Sequence, residues 1–167
     1  IMKEIEKLIK TPTQNIQTKN AFLFSCFSGL RLGDIQKLKF NMITEGYLSF
    51  RQTKTGEYER IKLHSKVKRI IQEQKVASKD KNDKIFYLYD NKAINRHLMK
   101  LIKDAGIKKH ISFHCARHSF ATMCLTKDVD IFTVSKLLGH KDLQSTQIYA
   151  KLIDKKKDEA TDKLPEL

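Results

Sequence analysis

The sequence has no long apolar run and few cysteines, and each shortage excludes a class of protein. No stretch of its 167 residues approaches the roughly 18 consecutive apolar residues that a transmembrane helix needs. Residues 1–4 do not begin the apolar stretch of a signal peptide. Three scattered cysteines, Cys26, Cys115 and Cys124, are too few for a disulfide framework. We therefore expect reduced, packed thiols in a cytoplasmic protein that does not use a membrane.

Two common kinds of catalytic site are also missing from the sequence. It contains no GxxxxGK phosphate loop, so we do not expect it to use ATP. Its acidic residues show no metal-site spacing. His114 and His118 have the spacing of a zinc-protease helix, but Cys115 stands where that motif requires glutamate. We predict that the protein needs no metal ion, nucleotide or other cofactor.

Positive charge is what the sequence has in excess. It contains 33 lysines and arginines against 19 aspartates and glutamates, which gives a formal net charge of +14 at pH 7. Such a surface most commonly binds nucleic acid, because neutralising phosphates releases counterions and supplies affinity for any sequence. On charge alone, an anionic membrane surface and a basic protein without such a partner are the alternatives.

The apolar pattern changes its period along the chain, from helical spacing to short alternating segments between glycine-containing turns and back. It predicts helices at residues 1–10, 14–30, 34–38, 66–77, 91–105, 113–127, 131–138 and 143–151, and strands at 41–44, 47–53 and 58–63. Asp130 and Gly139 have the residue types that begin and end a helix. The predicted fold class is α+β, mainly helical with a small three-stranded antiparallel sheet. We expect a single domain over residues 1–167, with a core at about 14–152 and a charged tail at 153–167.

The first candidate for site chemistry is an arginine in a turn bounded by glycines. Arg31 follows an apolar helix within the segment SGLRLGD, residues 28–34, which lifts its side chain partly from the surface. A planar guanidinium group can hold two phosphate oxygens at once. An arginine after a helix is more often structural or solvated, so Arg31 alone does not define a site.

A second candidate group lies on a predicted helix. His114 and Arg117 are three residues apart and therefore share a helical face, and His118 is four residues from His114. Such a pair suits an anionic ligand, because the arginine supplies charge and the histidine handles a proton. A histidine at a helix start can equally be a cap or a packed core residue.

The third candidate group is His140, which follows Gly139, together with Tyr149 nine residues later. A phenol has a pKa of about 10 and is a poor nucleophile at neutral pH until its developing charge is stabilised. Attack on a phosphodiester places charge on the phosphate oxygens, where fixed cations stabilise it, and the expelled oxygen needs a proton donor. Arginines, histidines and a lysine around a tyrosine would meet these needs.

Together these segments resemble the conserved boxes of the tyrosine recombinases, also called phage integrases. The first box is similar to residues 28–34, and the second is similar to residues 114–122, continuing into His140 and Tyr149 in the same order. The resemblance spans about residues 15–151. It implies the catalytic-domain fold of that family and a site-specific recombinase that integrates or excises a mobile element.

The resemblance implies a phosphate-binding role for three residues. Arg31 and Arg117 would grip the scissile phosphate, and His140 would hydrogen-bond to it, at a position where the family has histidine or tryptophan. Asp34 and His118 match positions for which we expect structural roles, the first supporting the arginines and the second bracing the active-site helix.

The resemblance also implies which residues transfer protons and which residue attacks the phosphate. Tyr149 would be the nucleophile, forming a 3′-phosphotyrosyl bond and freeing a 5′-hydroxyl. His114 would be a candidate general base and phosphate contact. Lys54, in the turn between the second and third strands, would be the general acid. Ala116 departs from the family pattern, which has a large aliphatic residue before the second arginine, but this change removes no catalytic group.

Partners follow from the same resemblance. It implies double-stranded DNA as substrate and a tetramer assembled on paired sites. The family has a separate N-terminal helical domain that clamps DNA, and this sequence begins at the catalytic domain, so we expect it to be a fragment. Two alternatives are a type IB topoisomerase-like enzyme and a DNA-binding module that has lost catalysis. The filled set of catalytic positions argues against the second.

Overall fold

The structure is a computed structural model that describes residues 1–77, 83–140 and 144–149. No helix within these ranges combines the length and apolar character needed to cross a bilayer. In chain order the elements are α1 (Met2–Lys10), α2 (Ile16–Ser28), α3 (Leu32–Ile35), a 3-10 turn (Phe40–Met42), β1 (Ile43–Thr44), β2 (Tyr47–Arg51), β3 (Tyr58–Lys62), α4 (Ser65–Ala77), α5 (Asn91–Asp104), α6 (His114–Thr126), α7 (Ile131–Leu137) and a final 3-10 helix (Gln144–Tyr149).

The chain divides into two compact units, with the boundary inside α6. The N-terminal unit is Ile1–Phe120 and the C-terminal unit is Ala121–Leu167. The first contains α1 to α5, the sheet and the start of α6. The second contains the rest of α6, α7 and the final 3-10 helix. The expectation of a single catalytic domain over residues 1–167 stays a prediction.

Helix α2 is the centre of the N-terminal unit. It contacts α1, α3, α4 and α5, which explains why apolar residues occur on all its faces rather than on one stripe. Phe24 is fully buried and meets Phe86 edge to face, with 5.3 Å between ring centroids. Phe22 meets Phe113 in the same geometry at 5.7 Å. The central helix therefore joins the segment before α5 and the start of α6 through aromatic contacts.

The sheet is antiparallel, with strand order β1-β2-β3. Leu48 and Phe50 of β2 are buried, whereas their neighbours along the strand are more exposed. Because side chains alternate between the two faces of a strand, one face packs on the core and the other faces outward. Partners across strands, such as Leu48 and Ile61, share a face. This confirms the predicted fold class of a mainly helical domain with one three-stranded antiparallel sheet.

The predicted elements are present, and the differences lie at their ends. The third helix begins at Leu32 rather than at residue 34, because Arg31 is extended and its carbonyl accepts from the backbone N–H groups of Asp34 and Ile35. The first strand is shortened to Ile43–Thr44, since residues 40–42 form a 3-10 turn. The last predicted helix, residues 143–151, is a 3-10 helix over Gln144–Tyr149, and its remaining positions lie outside the described residues.

Both predicted ends of α7 are confirmed in the C-terminal unit. The Asp130 side chain accepts from the Thr133 N–H at 2.9 Å, which satisfies one of the unpaired donors at a helix start. Gly139 follows the helix with φ of +58°, in the left-handed region that favours glycine. Its N–H donates to the Lys136 carbonyl at 2.8 Å, as in a Schellman ending.

Truncation of the central aromatic residue tests how far the N-terminal unit depends on α2. We expect Phe24→Ala to lower the free energy of unfolding by about 3–5 kcal/mol, because the cavity left beside Phe86 cannot fully collapse. Urea denaturation followed by circular dichroism measures this loss. Met99→Ala, at an exposed helical position, is the control and should change stability by no more than about 0.5 kcal/mol. Equal effects of the two substitutions would contradict the central position of α2.

Candidate active site

Arg31 stands where α2 ends and α3 begins. The helix ends at Gly29, whose φ of +73° lies in the left-handed region, where a side chain would be strained. The Ser25 hydroxyl donates to the Leu30 carbonyl at 2.7 Å and so closes the turn. Arg31 is half-buried and its Nη1 donates to Oε1 of Gln52 at 3.1 Å. The turn therefore directs the Arg31 guanidinium toward the end of strand β2.

Arg117 joins α6 to the same turn. Its side chain is 5% exposed, and its Nη1 donates to the Gly29 carbonyl at 2.7 Å. A buried guanidinium group requires hydrogen-bond acceptors because burial removes the water that would otherwise solvate its charge. The contact brings the two arginines of the sequence motifs to the same region of the N-terminal unit.

The two histidines of α6 lie one helical turn apart with their rings in contact. The rings of His114 and His118 meet at 89°, with 4.6 Å between centroids, so these two histidines share one face of α6. Partial burial lowers the pKa of His114, and the nearby charges of His118, Arg117 and Arg31 lower it further. Burial and then Arg117 lower the pKa of His118 as well. Both rings therefore favour the neutral form near pH 7.

Lys54 lies in the exposed turn between β2 and β3, as predicted. The turn is held at its base, because the Thr53 N–H donates to Oδ1 of buried Asp34 at 2.7 Å and the Gly56 N–H donates to the Gln52 carbonyl at 2.9 Å. The Thr53 hydroxyl also donates to the Gly33 carbonyl at 3.2 Å. The turn backbone is therefore attached to α3, which follows Arg31 directly.

The phosphate-binding candidates of the N-terminal unit line one small cavity. Its volume is about 210 Å³, and Arg31, His114 and Arg117 line it together with Asn91, Asn95 and Ser112. Lys54 does not line this cavity. Its turn is connected to the cavity through Gln52, which accepts a hydrogen bond from the lining residue Arg31. A larger cavity of about 690 Å³ lies between the α1–α2 connection and α5 and contains none of the predicted site residues.

Gln52 and Glu59 belong to this site and were missed by the sequence reasoning. Gln52 is 5% exposed; its Oε1 accepts from Arg31 and Thr55, and its Nε2 donates to Oε1 of Glu59 at 3.0 Å. Burial raises the pKa of Glu59, and Glu57 adds to the rise, while Gln52 and Arg31 oppose it. The available signal was alternation along β2, which places Gln52 on the same buried face as Leu48 and Phe50.

Asn95 of α5 also supports the site. Its Oδ1 accepts from the Phe113 N–H at 3.1 Å, at the residue before α6 begins. Backbone N–H groups at a helix start lack partners within the helix, so this contact satisfies one of them and ties α6 to α5. A polar residue on a helix gives no sequence signal for such a role, because the contact depends on how two helices pack.

His140 and Tyr149 lie in the C-terminal unit. The N–H of His140 donates to the Ser135 carbonyl at 3.0 Å, which completes the Schellman ending of α7. Its Nδ1 is 2.9 Å from the hydroxyl of Thr146, which is fully buried. Tyr149 is the last residue of the final 3-10 helix and is 7% exposed. Within this unit, α7 and the 3-10 helix contact each other, which keeps His140 close to the segment that carries the tyrosine.

Comparisons with known protein sequences agree on one family for this chain. A sequence model described as the phage integrase family matches residues 2–156. Tyrosine recombinase XerA of Saccharolobus solfataricus is 32% identical over 161 residues, which are 90% of this chain and 54% of that protein. The chain thus spans about half the length of the curated relatives it matches.

Solved structures agree with the sequence comparison. The crystal structure of XerA recombinase has a TM-score of 0.78 at 25% identity and covers 99% of this chain and 65% of its own. A lambda integrase tetramer bound to a Holliday junction has a TM-score of 0.71 at 23% identity, covering 85% of this chain and 44% of that one. The second likeness shows the fold alone. Together they confirm the catalytic-domain fold that the sequence motifs predict.

Asp34→Ala tests whether α3 holds the Lys54 turn. The substitution leaves the Thr53 N–H without its carboxylate acceptor, so we expect faster amide hydrogen exchange at Thr53 and a loss of about 1–3 kcal/mol in stability. Asp34→Asn is the matched control, because its side-chain oxygen can still accept this bond. Continued protection of the Thr53 amide in Asp34→Ala would show that other contacts hold the turn.

Proposed function

The chain belongs to the phage integrase family, and from this premise we propose that it is the catalytic part of a tyrosine-type site-specific DNA recombinase. The observation that carries the proposal is the cavity where Arg31, His114 and Arg117 meet. Two guanidinium groups and a neutral imidazole suit a phosphodiester, because they stabilise added negative charge and can accept a proton. Integration or excision of a mobile element is the biological role that we propose for this activity.

The proposed cleavage step exchanges one phosphodiester for another. The phenolic oxygen of Tyr149 attacks the phosphorus while the arginines bind the non-bridging oxygens. A 3′-phosphotyrosyl bond forms and the bond from phosphorus to the 5′ oxygen breaks. His114 accepts the phenolic proton, and His140 hydrogen-bonds to the phosphate. Since one phosphodiester replaces another, rejoining to a second strand reverses the step and needs no outside energy source.

Lys54 is the proposed donor of the proton that the leaving 5′ oxygen needs. Its side chain is exposed, whereas the backbone beside it is fixed by Asp34 and Gln52. The Lys54 side chain can therefore change its position while the backbone of the turn and the sheet stays fixed. Tyr149 is in the opposite situation, because it is 7% exposed. We propose that Tyr149 becomes more accessible before attack, since a buried side chain cannot reach a phosphate.

The proposed substrate is double-stranded DNA, and the proposed working assembly is a tetramer on two paired sites. The net charge of +14 supports DNA binding through counterion release. The lambda integrase neighbour, described as a tetramer bound to a Holliday junction, supports the assembly by analogy of fold. We place the reaction in the cytoplasm, in keeping with three cysteines that are all free thiols.

A suicide DNA substrate tests the nucleophile. On a nicked duplex that traps the cleaved state, the protein should form a covalent adduct that survives denaturant, and Tyr149→Phe should form none, because it lacks the attacking oxygen. Gel electrophoresis under denaturing conditions measures the adduct.

Tyr89→Phe is the control for this experiment, since it removes a hydroxyl from an exposed tyrosine outside the proposed site. It should form the adduct at the rate of the unmodified protein. An adduct that persists in Tyr149→Phe would assign the attack to another residue and overturn the role given to Tyr149.

The pH dependence of adduct formation tests His114 as the proton acceptor. Only neutral imidazole accepts a proton, so the rate should fall as pH drops through the folded-state pKa of His114. That pKa is lowered from 6.5, so the midpoint of the fall should lie below pH 6.5. The charge of protonated His118 lowers this pKa, so His118→Gln should move the fall in rate to higher pH. A fall that stays at the same pH or moves to lower pH would contradict the assignment.

A further inference from the structure

The outward side of the sheet carries a row of flat and cationic side chains that the proposed cleavage chemistry does not use. We define the outer sheet face by seven side chains: Thr44, Tyr47, Ser49, Arg51, Tyr58, Arg60 and Lys62. They share one side because side chains alternate along a strand and cross-strand partners point the same way. Three of these seven described residues are cationic and none is acidic.

Three flat groups follow one another across this face. Tyr58 is 64% exposed. Arg60 lies two residues further along the same strand, and its guanidinium carbon is 4.2 Å above the ring centroid of Tyr47. The Arg60 guanidinium group therefore covers Tyr47, and the exposed ring of Tyr58 lies on the same face two residues away. Arg51 and Lys62 are the cross-strand neighbours of the two tyrosines.

We propose that the outer sheet face binds single-stranded DNA, by stacking bases on Tyr58 and Arg60 and by pairing its backbone with Arg51 and Lys62. Unpaired bases stack on aromatic rings and guanidinium planes, and cations beside them track the phosphates. In a duplex the base faces are already stacked inside the helix and cannot reach Tyr58. The exposed ring thus favours a single strand, and the charge favours a nucleic acid.

The position of this face relative to Lys54 indicates which strand it would hold. Arg51 stands at the end of the face nearest the Lys54 turn, and its Nη1 donates to the Gly56 carbonyl at 3.1 Å. The inference rests on the proposed function in one respect, because cleavage supplies the strand: the segment with the free 5′-hydroxyl must leave its partner strand before it is exchanged. A strand released beside Lys54 meets Arg51 first and the flat groups next.

Fluorescence anisotropy of the full chain with two labelled probes tests the proposal. The probes are an oligothymidylate of about 12 nucleotides, within the usual site size of such surfaces, and a duplex of the same length. Tyr58→Ala should weaken binding of the single strand by roughly five- to 150-fold, the loss of one stacked base, and leave duplex binding unchanged. Tyr58→Phe should retain the affinity, because it keeps the ring.

Tyr89→Ala is the matched control, since Tyr89 is 62% exposed and lies outside the sheet; it should bind both probes like the unmodified protein. The proposal is overturned if Tyr58→Ala binds the single strand normally, if it loses duplex binding equally, or if Tyr89→Ala loses as much. Thermal melting of each variant separates loss of binding from loss of fold.

The same variants separate this proposal from the proposed function. Tyr58→Ala should still form the Tyr149 adduct on the nicked duplex, because Tyr58 takes no part in cleavage. Adduct formation with normal single-strand binding in Tyr58→Ala would overturn the outer sheet face alone. Single-strand binding that depends on Tyr58, without any adduct in the unmodified protein, would overturn the cleavage function and leave binding by this face standing.

Discussion

The hydrogen bond from the buried Arg117 guanidinium to the Gly29 carbonyl is the contact on which the N-terminal site depends. At 2.7 Å it joins the start of α6 to the turn that carries Arg31. A buried donor that loses its hydrogen-bond partner costs about 1–3 kcal/mol, and a charged donor costs more, so this bond favours one arrangement of the turn and the helix. The left-handed conformation of Gly29 presents its carbonyl to Arg117 while the chain turns toward Arg31.

The hairpin that carries Lys54 is attached to this arrangement at two points. Asp34 accepts from the backbone of the turn, and Gln52 connects the Arg31 guanidinium to Glu59. A cationic site needs such neighbours, because preorganised groups stabilise charge without rearranging during the reaction. Asp34 was expected to support the arginines, and that role stays a prediction. Its carboxylate accepts from the Thr53 N–H and so supports the turn of the hairpin.

The sequence pattern predicted most of the elements, and its failures are local. Helical spacing and turn residues located the helices and the three strands, because burial of one face requires a fixed period. The ends of α3 and β1 were wrong by a few residues, since they depend on which carbonyl accepts which N–H. Gln52 and Asn95 escaped detection because their partners lie far along the chain. Arg31, His114 and Arg117 were found because each stands in a motif with recognisable spacing.

The sequence by itself determined the chemistry available to this protein: an excess of cations, two arginines, histidines at helical spacing, and a tyrosine in a family motif. Residue type and short-range spacing carry that information, because both follow from covalent structure and helix period. The tertiary structure decided which groups meet. It placed Arg117 against the turn that carries Arg31 and attached the Lys54 turn to α3. It also placed Tyr58 and Arg60 on the outward side of the sheet. Those outcomes depend on packing between distant segments, where burial and hydrogen bonding select one arrangement among many.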